Sequence, residues 1–203
     1  AGVFVAFVLS VASLTYLVVR TYSFRRSSSL AEPQGSALKG VVYAFGRGLM
    51  PWAKESASKH LATYVGGVVF HIAIAIALVF LAANLLKIEI PQTILVVVRI
   101  ACALGLLTGV GLLVKRMVAA YVRVISSPDD FVANLLVDLF LAAVIITTAY
   151  PGFVSLLYGV AIVLALYIPL GKIRHCFFFF YDRILFGNFF GRRGVLPPGS
   201  RRI

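Results

Sequence analysis

The chain has 203 residues, of which 61% are hydrophobic, and a formal net charge of +12. A soluble domain of this size is roughly 45–50% apolar, so this composition excludes an ordinary water-soluble domain and predicts a lipid bilayer as the solvent. Because basic residues of membrane proteins sort by side of the membrane, the positive charge does not indicate nucleic-acid binding.

Five apolar segments follow one another along the chain, each near the roughly 20 residues that a membrane-spanning helix needs. They predict an all-α membrane protein, a five-transmembrane-helix bundle. The predicted helices cover residues 2–19, 68–86, 93–114, 131–149 and 153–170. The second of them has an alternative start near Leu61, because the preceding HLATYVGG is only weakly polar.

The positions of the basic residues predict the orientation. If five helices alternate, 17 of the 19 lysines and arginines fall on one side, in the first loop, in the loop after the third segment and in the tail. Lys87 lies on the other side and Arg99 lies within the third segment. Since positive charge marks the cytoplasmic face, the N-terminus is expected outside and the C-terminus in the cytoplasm, with the protein multi-pass in the cytoplasmic (inner) membrane.

Two polar regions flank the predicted spans. The first loop begins with SFRRSSSLAEPQGS, typical of a solvated connector, and continues with KGVVYAFGRGLMPW, which favours an interface or a partner-binding segment. The chain is expected to divide into a transmembrane domain, residues 1–176, and a basic, aromatic cytoplasmic tail, residues 177–203. We interpret the tail as interfacial or partner-binding, with the aromatic run Phe177–Tyr181 as an interface anchor.

Three histidines are the main chemical signal: His60, His71 and His175. Polar groups inside a membrane are rare and usually functional, although one histidine can also serve a simple helix–helix hydrogen bond. His71 and His175 are predicted at similar depth near the cytoplasmic side, on different helices, and two such imidazoles are what a b haem requires. His60 lies on the same helical face as His71 if the helix starts early, so it competes as a partner of His175.

Four charged residues carry weaker signals. Lys115 and Arg116 end the third segment at the inner interface, where they either pair with haem propionates or extend towards the lipid headgroups. Arg99 and Asp138 lie within predicted spans, towards the outer and the inner half respectively. Either is a candidate for a quinone site or a proton path, because intramembrane charges are functional by default.

Three stretches, VVFHIAIAIAL, GVGLLVKRM and YIPLGKIRHC, stand in order at the expected helix ends. In them the chain resembles the gamma subunit of respiratory nitrate reductase and its relatives, including the cytochrome b subunits of heterodisulfide-reductase-like complexes. The resemblance covers most of the chain from about Pro51 to His175. It implies five helices with b haem between the second and the fifth.

Carried over by position, the resemblance implies that His71 and His175 ligate the haem nearer the cytoplasm. The family's second haem has ligands where this chain has Leu81 and Leu157, so a single haem b is implied. His60 is then a propionate partner, a quinone-site residue or an interfacial ring, the last being our preferred interpretation.

The resulting functional hypothesis is a haem b membrane subunit of a quinone-linked respiratory oxidoreductase, which exchanges electrons with a partner iron–sulfur subunit. With one haem near the inner leaflet, the quinone site is expected within reach of it. The chain carries no nucleophile–base pair, phosphate loop or cysteine cluster, so no catalytic residues are predicted and further chemistry is assigned to other subunits. The alternative is a cofactor-free membrane anchor for partner subunits.

Overall fold

The computed structural model describes residues 1–24, 32–53 and 55–196. These residues are mainly helical and contain no strand, so the all-α prediction is confirmed. The helices are α1 (Gly2–Ser23), α2 (Ala37–Phe45), α3 (Glu55–Lys59), α4 (Leu61–Leu85), α5 (Gln92–Val118), α6 (Ala120–Arg123), α7 (Pro128–Ala149), α8 (Val154–Tyr167) and α9 (His175–Arg192). Part of the predicted connector, residues 25–31, lies outside the described residues, as do Lys54 and the end of the tail, residues 197–203.

Within the described ranges, four helices are long and apolar enough to cross a membrane: α1, α4, α5 and α7. The second span starts at Leu61, the earlier of its two predicted starts. The fourth begins at Pro128, three residues before the predicted start at 131. Its polar first turn is a helix cap, in which the Asp130 carboxylate accepts hydrogen bonds from the Ser127 backbone N–H (2.8 Å) and hydroxyl (3.0 Å).

The helix in the fifth predicted span is shorter than predicted, because α8 covers Val154–Tyr167 rather than residues 153–170. α8 has 14 residues, and at 1.5 Å per residue it is about 21 Å long, shorter than the roughly 30 Å of bilayer hydrocarbon. A fifth crossing exists only if the segments Pro151–Tyr167 and Lys172–Arg192 count as one broken span. The break contains Pro169, which lacks a backbone N–H and so cannot donate the hydrogen bond that would continue α8.

The chain divides into two compact units, the first formed by Ala1–Ser13 with Ala62–Ile173. Its core contains small, aliphatic and aromatic side chains from α4, α5, α7 and α8. Gly105 and Gly109, four residues apart on α5, allow close helix packing, because a Cβ at Gly105 would overlap Ala73 and one at Gly109 would overlap Asp138. Core residues include Phe70, Ala73, Ala77, Phe80, Cys102, Phe140, Leu141, Val144 and Leu157.

The second unit consists of Leu14–Leu61 with Arg174–Ile203, and its main contact joins α2 to α9. Glycines let the two backbones touch: a Cβ at Gly40 would overlap the Gly187 carbonyl and lie 2.6 Å from the Gly191 Cα. The backbone N–H groups of Gln34 and Gly35 donate to the Arg192 carbonyl, at 2.8 and 3.0 Å, and so satisfy the end of α9. Part of the first loop thus packs on the tail helix α9, while the division of the chain at residue 176 stays a prediction.

Candidate functional site

His71 lies in the apolar part of α4, within the first compact unit. Its Nδ1–H donates to the Gly67 carbonyl at 2.7 Å. Its ring packs edge-on against the Phe70 ring, with 6.1 Å between the ring centres. A carbonyl can only accept, so this bond assigns the proton of the neutral ring to Nδ1 and the lone pair to Nε2. Metal-ligating histidines commonly show this arrangement, in which one nitrogen donates to a backbone carbonyl and the other faces the metal.

His175 is the first residue of α9 and belongs to the second unit. It lines an open groove of about 320 Å³ along one face of that helix. The groove combines an imidazole with aromatic surface and one charge of each sign, a mixture suited to a flat apolar ligand that carries polar groups. Its remaining lining residues are Phe178, Phe179, Asp182, Arg183 and Phe186.

His60 lies in the turn immediately before α4 and is exposed. Its backbone N–H donates to the Ala57 carbonyl at 3.3 Å. The start of α4 at Leu61 makes His60 the residue at the edge of this span, as the early-start prediction requires. His60 and His175 are in the second unit, whereas His71 is in the first.

Lys115 and Arg116 end α5 in the first unit, and both contact protein groups. The Lys115 ammonium donates to the Thr63 hydroxyl at 2.5 Å and lies 5.9 Å from the centre of the Tyr121 ring. The Arg116 guanidinium donates to the Ser126 hydroxyl at 2.9 Å and lies 3.4 Å from the Asp130 carboxylate. Arg116 thus has an anionic partner, whereas these two contacts of Lys115 are with neutral groups.

Arg99 and Asp138 have separate partners. The Arg99 guanidinium donates to the Thr148 carbonyl at 2.5 Å and to its hydroxyl at 3.3 Å. Because that carbonyl belongs to the last turn of α7, where carbonyls lack helical partners, Arg99 caps the helix. Asp138 instead accepts a hydrogen bond at 2.8 Å from Asn134, one turn earlier on α7.

The polar partners Thr63, Asn134 and Thr148 were not predicted as site residues. Asn134 could have been identified from the sequence. Residues 130, 134 and 138 are spaced by four, which places three polar side chains on one face of a helix. The described part of the chain contains no group of three or more His, Cys, Asp or Glu residues that could hold a metal ion. A bis-histidine haem needs only two protein ligands, so that finding does not bear on the histidine prediction.

Comparison of the chain with known protein families, curated proteins and solved structures finds no match.

Proposed function

We propose that the protein is a haem b membrane subunit of a quinone-linked oxidoreductase, which passes electrons between the quinone pool and an iron–sulfur partner subunit. The observation that carries the proposal is the His71 hydrogen bond to the Gly67 carbonyl, which leaves the lone pair on Nε2. The pairing of His71 with His175 comes from their sequence positions and from the family resemblance. Bound haem would supply one-electron exchange, with these two imidazoles holding the iron.

The histidines and their surroundings described above would fit a bound haem. An imidazole of defined tautomer and a groove-lining imidazole beside phenylalanines are suitable neighbours for an apolar macrocycle. Lys115 is the better candidate for a propionate partner, because its contacts with Thr63 and Tyr121 are neutral while Arg116 already faces Asp130. His60 remains, in this proposal, an interfacial ring at the edge of α4.

Two buried leucines support a single haem. Leu81 and Leu157, at the positions where the resembled family has its second pair of ligands, pack in the same hydrophobic core with 9% and 0% of their surface exposed. Apolar packing at both positions is what a bundle without an outer haem requires. Quinone exchange, which moves two electrons and two protons, is accordingly proposed near His71 and His175.

A cofactor-free membrane anchor is the second candidate. The helix pair α2 and α9, which is joined through glycines, favours this candidate. The pair carries exposed apolar side chains such as Leu38, Val42 and Phe180. Exposed apolar surface of this kind is typical of contacts with lipid or another subunit. In this alternative the hydrogen bond to Gly67 is a structural role of His71 within its own helix.

The visible absorption spectrum of the reduced, purified protein tests the proposal. Wild type should show sharp b-type bands, which either His71→Gly or His175→Gly weakens or removes, because each substitution deletes an axial ligand. His60→Gly is the matched control and should keep the bands. Added imidazole should restore them in the His71 and His175 variants if a ligand, rather than the fold, was lost.

Two outcomes would contradict the proposal. A wild-type spectrum without b-type bands, from protein produced with sufficient haem, would favour the anchor. Loss of the bands in His60→Gly alone would show that His71 and His175 are not the ligand pair.

A further inference from the structure

Asp138 is a buried carboxyl group whose role is not explained by a haem. It lies in the middle of α7, with 5% of its surface exposed, among the side chains of a membrane-spanning helix. Its Oδ1 atom is buried and has no hydrogen-bond partner among the described residues. Because an ionised carboxylate without compensation is strongly disfavoured in such surroundings, a group like this is neutral or binds a ligand.

The neighbours of Asp138 distinguish its two oxygens. The Asn134 side-chain amide donates to Oδ2 at 2.8 Å and to the Gly109 carbonyl at 3.2 Å. Oδ2 therefore acts as an acceptor, and Oδ1 is the oxygen available for a proton. Gly109 provides the space for Oδ1, because a Cβ there would overlap that atom.

Cations on the packed elements are engaged elsewhere. On α5, Arg99 donates to Thr148, Lys115 to Thr63 and Arg116 to Ser126. Within the described ranges no ion pair compensates Asp138, so a bound proton is the simplest neutralising ligand. The other titratable groups on the neighbouring helices are Tyr64 and His71 on α4, Cys102 on α5, and Tyr158 and Tyr167 on α8. The Tyr158 hydroxyl donates to the Asn84 carbonyl, and the Tyr167 hydroxyl donates to the Asp129 carboxylate.

A ladder of polar side chains leads from Asp138 to the start of α7. Asp130, Asn134 and Asp138 are spaced by four residues, which stacks them on one helix face over about 12 Å. At the far end Asp130 faces Arg116 at 3.4 Å and Lys172 at 2.5 Å, and the Lys172 side chain is 47% exposed. In the other direction, Leu141 and Val144 on the following turns of α7 are buried and apolar, so the ladder stops at Asp138.

We propose that Asp138 is a proton-binding site inside the bundle, reached from the Pro128 end of α7 along the helix face that carries Asp130 and Asn134. The site takes up one proton to convert its carboxylate to a carboxylic acid and releases it by the same route. Since the ladder ends at Asp138, the site exchanges protons only with the Pro128 end of α7 and does not conduct them across the membrane. Its use as a proton supply for quinone chemistry rests on the proposed function, whereas proton binding itself does not.

Infrared spectroscopy of the purified full chain at graded pH tests the site. A carbonyl band of a protonated, buried carboxyl group should appear in wild type and be absent in Asp138→Asn, a nearly isosteric change. Asp182→Asn, at an exposed position on α9, is the matched control and should keep the band. A band that persists in Asp138→Asn would overturn the assignment, as would its loss on adding sodium ions at constant pH, which would indicate a cation site.

The route is tested by transferring the protein to deuterated water and following the shift of this band. Asn134→Leu should slow the exchange severalfold, because it interrupts the ladder between Asp130 and Asp138. Thr147→Val, beyond Asp138 on the same helix, is the control and should leave the rate unchanged. Equal slowing in both variants would overturn the route.

The two proposals fail separately. In a His71→Gly background the carboxyl band should remain even where the b-type bands are lost. Haem bands without a carboxyl band in wild type would reject the proton site and leave the haem proposal standing.

Discussion

Polar side chains within the apolar helices are satisfied in different ways. Arg99 completes the end of α7 by donating to the Thr148 carbonyl, and His71 donates within its own helix to Gly67. Asp138 accepts one bond from Asn134 and keeps a buried oxygen without a partner among the described residues. Structural roles therefore account for the described contacts of Arg99, whereas Asp138 retains a capacity for ligand binding.

A second residue-scale feature is the left-handed backbone of Lys87, with φ of 54°. The N–H groups of Lys87 and Ile88 donate to the carbonyls of Asn84 (3.2 Å) and Ala83 (2.9 Å), which is the Schellman pattern that ends α4. The end of α9 has the same pattern, but glycine occupies the equivalent position, Gly194, with φ of 67°. The strain at Lys87 arises because a Cβ is disfavoured in this conformation.

We predict that Lys87→Gly stabilises the protein by about 0.5–1 kcal/mol, because glycine removes that steric penalty. Gly194→Ala is the reciprocal change and should destabilise by about 1 kcal/mol. Reversible unfolding of the detergent-solubilised protein measures both. Stabilisation by Gly194→Ala, or destabilisation by Lys87→Gly, would contradict this account.

At the scale of elements, backbone contact through glycine joins α2 to α9 in the second unit. Gly187 and Gly191 are four residues apart and face Gly40, so the interface follows the small-xxx-small pattern known from membrane helices. Aromatic contacts lie beside this interface, since the Phe45 ring is 6.4 Å from that of Phe179 and 6.3 Å from that of Phe180. The pair depends on close approach, so an added methyl group would force the two backbones to shift.

We predict that Gly40→Ala destabilises this helix pair by about 1–3 kcal/mol, because its Cβ would collide with backbone atoms that cannot rotate away. Hydrogen exchange of the backbone amides in α2 and α9 should become faster. Gly66→Ala is the matched control, because a Cβ there reaches open space within a helix and should stabilise by up to about 1 kcal/mol. Unchanged exchange in Gly40→Ala would show that this close packing is not required.

At the scale of the whole molecule, the distribution of positive charge predicts which side each loop faces. The four straight spans and the broken segment Pro151–Arg192 permit either four or five crossings. Five crossings place the basic tail on the same side as the loop at Arg123, whereas four place it on the side of Lys87. The positive-inside rule favours five, because only five keep the basic segments together.

Cysteine labelling in sealed vesicles of known sidedness tests this topology. In a background of Cys102→Ala and Cys176→Ser, Lys87→Cys should react with an impermeant thiol reagent from the outside only. Arg193→Cys and Arg123→Cys should react from the inside only. Reaction of Arg193→Cys on the side of Lys87 would establish four crossings and refute the predicted orientation of the tail.

The candidate site was only partly predictable from sequence. His60, His71 and His175 stand out because imidazoles are rare among apolar residues, and the start of α4 at Leu61 was one of two predicted alternatives. The bond that assigns the His71 tautomer joins residues four apart and follows from helix geometry. By contrast, the partners of Lys115 and Arg99 lie 52 and 49 residues away along the chain, beyond the reach of a local pattern.

The sequence alone determined the helical class and the positions of the main apolar spans, because a bilayer requires long apolar segments with internally satisfied backbone. Only the tertiary structure decided that the fifth apolar segment breaks after α8, that glycines join α2 to α9, and that Asp138 keeps an oxygen without a described partner. Hydropathy is a local property, whereas these features depend on which distant backbone and side-chain atoms meet.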